Sequence, residues 1–271
     1  MTHAARPTVT SDTTSDITSD IVAWLDDLLQ TDSTPDYGGA LNGLQVQHAG
    51  PVHRVAAAVD ASLRSVEQTV DSGANLLIVH HGLFWAGAQP IRSTMHRKLK
   101  LLLDHDIAVY SSHLPLDRHA THGNNVLLAQ ALDLTPSSTW HAYKGVPIGV
   151  VAECSVATST LAERARIFAA QYGHHTVVTP HASHRVSRRV ALCSGGGASS
   201  DSIREALSIG ADTLVVGEGP HHTAVDADES GLVIIYAGHY ATETLGVQSL
   251  ARAVGERWQL PWSFLPAPTG L

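Results

Sequence analysis

Residues 76–82 read Leu-Leu-Ile-Val-His-His-Gly, four apolar residues followed by two histidines and a glycine. A short continuous apolar run is typical of a strand that is buried on both faces of a sheet. Before it, a helix-like segment runs through Glu67, and Gly73-Ala74-Asn75 places glycine where a helix turns into a strand. Further upstream, Arg54-Val55-Ala56-Ala57 begins another strand. This order of strand, helix and strand predicts an α/β fold.

A second block of the sequence repeats this order of elements. Arg189-Val190-Ala191-Leu192 begins a strand, residues 203–207 are helix-like, and Gly210-Ala211-Asp212 leads into an apolar run at residues 213–216. We interpret the two blocks as an internal duplication, in which His80-His81 corresponds to Gly217-Glu218. The sequence therefore predicts two similar α/β lobes, with ligands bound beyond the carboxyl ends of the strands.

Composition suggests where these lobes begin and end. Residues 1–16 are rich in Thr, Ser and Asp and lack both a basic start and an apolar core, so we interpret them as a disordered tail. We expect a first lobe at residues 17–134, a linker at 135–144, a second lobe with a C-terminal metal-ligand motif at 145–257, and a tail at 258–271. The sequence has no run of about 18 apolar residues, which excludes a membrane-spanning helix, and we expect a cytoplasmic protein.

Charge and cysteine content limit the chemistry. The chain of 271 residues has a formal net charge of −8 and two cysteines, Cys154 and Cys193, each alone in an apolar stretch. We expect both to be reduced thiols, so that a metal site would use histidine and carboxylate ligands, which favour zinc, manganese or iron. Dispersed Lys and Arg argue against a nucleic-acid-binding protein, because phosphate binding needs a basic face. A neutral metabolite, or an anion held by metal ions, is the expected ligand.

Two further strand-like runs end in a histidine that is followed four residues later by a carboxylate. Residues 109–117 read Val-Tyr-Ser-Ser-His-Leu-Pro-Leu-Asp, and residues 235–243 read Ile-Tyr-Ala-Gly-His-Tyr-Ala-Thr-Glu. Imidazole and carboxylate groups at the ends of rigid strands are suited to a metal site. Glu243 would share one helix face with His239, where its carboxylate could bridge two cations about 3.5–4 Å apart.

Each of these residues also has an ordinary interpretation. Adjacent histidines point to opposite faces of a regular strand, so His80 and His81 can converge only where the backbone bends, which Gly82 permits. Asp117 alone could be a turn residue, and His239 alone could be a loop histidine. Only the combination of the three segments favours a metal site.

These segments, together with Asp36-Tyr37 and Asn42-Gly43-Leu44-Gln45-Val46, resemble the NIF-three-like dinuclear metal center hexameric proteins, many of which carry the name GTP cyclohydrolase 1 type 2 homolog. The likeness extends from about residue 17 to residue 257, with the motifs in the family's order. The resemblance implies two divalent transition-metal ions per chain, Zn, Fe or Mn, held by five ligands: His80, His81, Asp117, His239 and Glu243.

The same resemblance implies an assembly and a form of the fold. Family members are similar to one another in having two interlocked α/β lobes and a toroidal homohexamer whose metal sites face the inner cavity. This chain resembles the short form, which has no additional domain in the middle of the sequence. It carries Pro115-Leu116 where many members have Thr or Asn followed by Leu, so the geometry of that loop stays open.

Two function classes are compatible with this pattern. The resemblance implies a metal-dependent hydrolase that acts through a metal-activated water on a small-molecule substrate, a nucleotide or related metabolite; the names in the family suggest opening of the guanine ring of GTP, and phosphoester cleavage would use the same water. The alternative is a non-catalytic metal-binding hexameric scaffold or regulatory interaction protein.

Candidate catalytic residues are less sharply defined than the metal ligands. His113 occupies the position that His239 has in the other half, so it could move protons or orient a ligand, or be an ordinary strand-end residue. His222 could lie in the cavity wall or at the surface. The glycine-rich residues 194–200 lack the lysine and spacing of a P-loop and could form an anion-binding nest or a flexible turn.

Overall fold

The computed structural model describes residues 17–180 and 184–271, which form two β-sheets covered by helices. The disordered tail expected at residues 1–16 lies outside the described residues. The first sheet has the strand order β1-β4-β3-β2-β11, with bounds β1 Gly43–Val46, β2 Val55–Asp60, β3 Leu76–His81, β4 Ala108–Ser111 and β11 Trp262–Phe264. The helices of the first half are α1 Ile17–Leu29, a 3-10 turn Thr31–Ser33, α2 Leu63–Ser72, α3 Ser93–Asp104, α4 Leu114–Asp117 and α5 Asn124–Ala131.

The second sheet has the strand order β5-β6-β8-β9-β10-β7. Its strands are β5 Pro136–Tyr143, β6 Val146–Ala157, β7 Val177–Val178, β8 Val186–Cys193, β9 Thr213–Val216 and β10 Val233–Tyr236. The helices of the second half are α6 Thr158–Ala170, α7 Ser200–Ser208, α8 His221–Ser230, α9 His239–Thr242 and α10 Thr244–Trp258.

Each of the two sheets contains its own central motif of three parallel strands. In the first, β2 pairs with β3 and β3 with β4; in the second, β8 pairs with β9 and β9 with β10. The helix between β2 and β3 ends at Gly73, where the sequence predicted a turn from helix to strand, and the φ of +67° at this glycine is the left-handed conformation common at helix ends. The predicted α/β fold with two similar lobes is thereby confirmed.

Strand β3 lies at the centre of the first lobe because both of its faces are apolar. Leu76 and Ile78 pack in one cluster with residues of α1 and α10, whereas Leu77 and Val79 pack in another with residues of α2 and α3. All four side chains are fully buried. Burial of each stabilises the fold by about 1.5–3 kcal/mol, so the strand that carries the histidines is held rigidly.

Two segments differ from the organisation expected from sequence. Residues 135–144, expected to be a linker, contain the edge strand β5, which pairs with β6 as a hairpin. Residues 258–271, expected to be a tail, contain β11, which pairs in parallel with β2 of the first sheet. Helix α10 also packs against the first sheet, through Val247, Leu250, Ala251 and Val254. The end of the chain thus returns to the first lobe, a contact between distant residues that no local pattern indicated.

No helix within residues 17–180 and 184–271 has both the length and the apolar character needed to cross a membrane. Cys154 and Cys193 are both free thiols, as the sequence predicted, and Cys193 is buried.

Candidate metal centre

Residues at or just after the ends of β3, β4, β8 and β10 line one cavity of about 590 Å³. Strand β3 carries two imidazoles here: His81 is partly exposed and lines the cavity, His80 is fully buried, and their ring centroids lie 4.8 Å apart. Adjacent residues on this strand therefore do reach one region, as the sequence analysis required.

Two carboxylates approach these imidazoles. The Oδ1 atom of Asp117 accepts hydrogen bonds from Asn124 at 2.9 Å and from the hydroxyl of Ser194 at 3.1 Å, while Oδ2 lies 3.6 Å from Nε2 of His80. Asp117 is thus supported by both lobes, since Ser194 directly follows β8. Its second oxygen is directed towards His80.

The carboxylate of Glu243 lies between the Nε2 atoms of three histidines. Its Oε1 is 3.6 Å from Nε2 of His80, whereas its Oε2 is 3.5 Å from Nε2 of His81 and 3.2 Å from Nε2 of His239. The carboxylate is almost completely buried, with 3% of the residue exposed. One side chain therefore presents a different oxygen to each of two groups of residues.

The ring orientation of the histidines is set by acceptors at their Nδ1 atoms. The Nδ1 contacts are His80 to the carbonyl oxygen of Ser112 at 2.8 Å, His81 to Asp60 at 2.9 Å, His113 to Asp36 at 2.8 Å, and His239 to Glu218 at 2.8 Å. An acceptor at Nδ1 assigns the hydrogen to that nitrogen and leaves the lone pair on Nε2, the arrangement in which a histidine binds a metal ion.

Sequence reasoning missed these acceptors as partners of the histidines. Asp60 is paired with His81 in the parallel register of β2 and β3, so a prediction of strand pairing could have found it. Glu218 occupies the position that corresponds to His81 in the other half, but only the fold shows that it contacts His239. Asp36 lies 77 residues from His113, and no local signal connected the two.

Two observations indicate that these nitrogen and oxygen atoms could hold a metal ion. Nε2 of His80 and Oε2 of Glu243 are buried without a hydrogen-bond partner, which is costly unless another ligand satisfies them. The separations of 3.2 to 3.6 Å exceed an ordinary N–H···O length of about 2.9 Å. They match the spacing of about 3.4 Å between two ligand atoms that are each about 2.1 Å from a tetrahedral ion.

Two groups of three residues in the described ranges have ligand atoms close enough to hold a cation. One comprises His80, His81 and His113, and the other comprises His81, His239 and Glu243. The chain thus contains buried His and Glu groups that could bind a metal ion.

The carboxylates also dominate the electrostatics. Burial by itself lowers the pKa of His80, but the neighbouring Asp117 and Glu243 raise it to about 10. Burial likewise opposes the charged form of His239, whereas Glu243 and Glu218 raise its pKa to about 9. Burial raises the pKa of Glu243, but the surrounding histidines hold it well below its usual range. Protons and a cation would compete for the same Nε2 atoms.

The two candidate catalytic histidines lie in different places. His113 is buried, lines the cavity, and has its ring centroid 4.9 Å from that of His80. His222 is exposed in the first turn of α8 and is not among the described residues that line the cavity. The structure therefore brings His113, and not His222, to the other predicted residues.

The glycine-rich loop after β8 has a packing reason for its sequence. Gly195 has a φ of +61°, and a Cβ atom there would collide with the carboxylate of Glu243. Its amide donates to the hydroxyl of Thr242 at 2.9 Å. The loop therefore lets the backbone approach Glu243, a role that neither of the interpretations made from sequence had included.

Aromatic residues form the outer wall of the same cavity. Tyr37 packs against Tyr143 of the other lobe with ring centroids 4.6 Å apart, and Trp85 makes an edge contact with His113 at 4.7 Å. Both Tyr37 and Trp85 are about half exposed, at 51% and 44%. The cavity therefore combines a polar floor with a partly open aromatic rim.

Comparison with known proteins identifies relatives of this chain. The model of the family described as Duf34/NIF3 (NGG1p interacting factor 3) matches residues 17–269. A protein of Deinococcus radiodurans named GTP cyclohydrolase 1 type 2 homolog is 37% identical over 253 residues, which cover 93% of this chain and 93% of that protein.

Solved structures of similar proteins extend the match to the fold. The structure of protein ybgI, described as of unknown function, has a TM-score of 0.83 and 33% identity, with 93% of this chain and 99% of that chain covered. A protein of Thermus thermophilus has a TM-score of 0.80 and 35% identity, with coverage of 94% and 99%. The resemblance predicted from the motifs is confirmed, and the chain belongs to the Duf34/NIF3 (NGG1p interacting factor 3) family.

Proposed function

We propose that this protein binds two divalent transition-metal ions, Zn, Fe or Mn, and is a metal-dependent hydrolase. The ligands would be His80, Asp117 and Oε1 of Glu243 for one ion, and His81, His239 and Oε2 of Glu243 for the other. The observation that carries the proposal is the position of Glu243, whose two oxygens face two separate ligand sets at 3.2 to 3.6 Å.

When bound, such a pair of ions would activate a water molecule and polarise the bond to be hydrolysed. Other residues of the chain position the imidazole rings of the histidines. Asp60 and Glu218 hold His81 and His239 through Nδ1 and thereby direct each Nε2 towards the centre of the site. His113 is held by Asp36 in the same way, so its Nε2 is directed inwards and would accept or return a proton beside the reacting atoms.

The substrate class that we propose is a nucleotide or related metabolite. A cavity of about 590 Å³ lies in the range of small-molecule sites, and the rings of Tyr37 and Trp85 offer apolar faces to a planar base. The names of the curated relatives support this choice only as far as the words GTP cyclohydrolase 1 type 2 homolog go. We further propose a homohexamer, on the resemblance described above, and a cytoplasmic location.

Screening of the metal-loaded protein against nucleotides, phosphoesters and cyclic amides tests this function. We expect turnover of at least one class, loss of that activity on chelation, and recovery on return of a single type of metal ion. The variant His81→Ala should lose the activity, whereas His122→Ala, a histidine that binds Ser249 outside the cavity, should retain it. If a protein with two bound ions turns over none of the three classes, the non-catalytic scaffold, which the family name as an interacting factor suggests, becomes the better account.

A further inference from the structure

One histidine lines the cavity without belonging to either group of possible metal ligands in the described part of the chain. His141 lies on β5, near the tip of the hairpin that β5 forms with β6. The hairpin contributes to the wall of the cavity in the second lobe. His141 therefore faces the same space as the candidate metal centre, from an element that carries none of the proposed ligands.

The backbone of His141 departs from the regular strand. Its φ is +56°, in the left-handed region, and the paired residues pass from Trp140 with Gly149 to Ala142 with Pro147 without including it. The N–H group of His141 donates instead to Oε1 of Glu205 on α7, at 2.8 Å. A residue other than glycine in this conformation costs about 1–2 kcal/mol, which the surrounding contacts must offset.

The ring is held by the same carboxylate. Nδ1 of His141 lies 3.1 Å from Oε2 of Glu205, so each oxygen of that side chain accepts one hydrogen bond from the histidine. Because Nδ1 donates to a carboxylate, Nε2 is left with the lone pair and with no hydrogen-bond partner in the described residues. The ring retains 24% exposure, which gives a ligand in the cavity access to it.

This arrangement repeats the one found at the candidate ligands, where a carboxylate or carbonyl holds each Nδ1. A purely structural role, fastening the hairpin to α7, is already served by the bond from the backbone N–H to Glu205. The second bond adds a fixed ring orientation and places a carboxylate beside the ring. Both additions matter for a ring that transfers a proton.

We propose that His141 is a proton donor and acceptor for the bound substrate and that Glu205 is its positioning residue. This inference rests on the hydrolase function proposed above, and the ligand class is a phosphate ester. In such a hydrolysis the oxygen of water forms a bond to phosphorus while the bond to the leaving oxygen breaks. His141 takes a proton from solvent at Nε2 and gives it to the leaving oxygen, and the attacking water releases a proton to solvent, so protons balance.

Substrates that differ in leaving group test this role in the metal-loaded full-length protein. p-Nitrophenolate leaves without a proton, whereas phenolate needs one. His141→Gln should lower kcat/KM for phenyl phosphate by about 100-fold or more and that for p-nitrophenyl phosphate by less than about tenfold. Glu205→Gln, which keeps an acceptor but loses the charge, should show the same selectivity in weaker form. Equal losses on both substrates, or no loss, would overturn the proposal and leave the hydrolase function standing.

Binding of phenylphosphonate, measured by calorimetry, separates this proposal from the function on which it rests. If the unmodified protein hydrolyses neither ester, the hydrolase function on phosphate esters fails and binding decides the role of His141. Binding at least about tenfold weaker in His141→Gln, with His122→Gln unchanged, would support contact between His141 and the ligand. Unchanged phenylphosphonate binding in His141→Gln, or no binding to the unmodified protein, would overturn the proposed role of His141. Thermal melting of each variant checks that the fold is intact.

Discussion

Among single residues, the histidines are organised by which nitrogen carries the hydrogen. Carboxylates or a carbonyl accept from Nδ1 in His80, His81, His113 and His239, and the Nε2 atoms are left for the interior of the site. Glu243 then differs from the other candidate ligands because its two oxygens face different histidines, Oε1 facing His80 and Oε2 facing His81 and His239.

The first prediction compares Glu243→Ala with His80→Ala. Removal of Glu243 takes one ligand from each proposed ion and leaves the two cations without their shared negative charge, so we expect Glu243→Ala to lose both. His80→Ala should weaken chiefly one ion. Metal stoichiometry of the two folded variants, measured side by side, is the check. A Glu243→Ala protein that keeps both ions, beside a His80→Ala protein that loses both, would refute the bridging assignment.

A second prediction concerns Asp60, which contacts His81 but belongs to neither proposed ligand set. Asp60→Ala removes the acceptor at Nδ1 and frees the ring to rotate, so metal affinity should fall by about 10- to 100-fold. The effect on the melting temperature should be small, because the Asp60 side chain is 34% exposed. Asp71→Ala, an exposed carboxylate on α2, is the matched control and should leave affinity unchanged. Equal affinities in both variants would show that Asp60 does not orient His81.

Among the elements, the ends of strands and the short turns after them make the site. The loop between β8 and α7 brings Gly195 against Glu243, while helices α4 and α9 begin directly after the loops that follow β4 and β10. Because each turn is short, a substitution in it should displace the neighbouring ligand side chains.

The variant Gly195→Ala tests the close contact between that loop and the carboxylate of Glu243. The substitution meets both a left-handed backbone and the carboxylate of Glu243, so we expect a loss of about 1–2 kcal/mol in the free energy of unfolding and a lower metal content. Gly196→Ala is the control, because a Cβ atom there has no neighbour within 4 Å among the described residues. Chemical denaturation and elemental analysis measure both effects. Identical results for the two variants would mean that Gly195 does not shape the site.

The sequence predicted the parts of this arrangement that are local. Apolar runs ending in His80-His81 and in His239 indicated strands and their terminal ligands, because strand and helix periods are read from neighbouring residues. The partners Asp36 and Glu205 could not be found in this way, since each contacts a histidine far along the chain, at separations of 77 and 64 residues. The strand pairing of β11 with β2 was missed for the same reason.

In the whole molecule, the two lobes enclose one site between them. Asp117 from the first half accepts a hydrogen bond from Ser194 in the second, and Tyr37, which lines the cavity, packs on Tyr143 of the second sheet. Helix α10 and strand β11 return the chain to the first lobe, where α10 packs on the first sheet and β11 extends it. Separation of the lobes would therefore dismantle the candidate metal centre.

The proposed homohexamer is a prediction about the assembly of whole molecules. Closed symmetry would cover edge strands and enclose the mouths of the sites, which would keep solvent and competing ligands from them. Light scattering at micromolar concentration should give about six times the mass of one chain, 28.7 kDa. A monomer under these conditions would contradict the assembly without affecting the ligand assignment.

Elemental analysis of the purified protein after equilibration with zinc, iron or manganese measures whether the metal centre is dinuclear. Five nitrogen and oxygen ligands, with the two oxygens of Glu243 facing separate sets, exceed what one tetrahedral ion needs. We therefore predict about two ions per chain, the content of a paired metal site. A ratio of about one ion or fewer under metal-replete conditions would mean that the centre is not dinuclear.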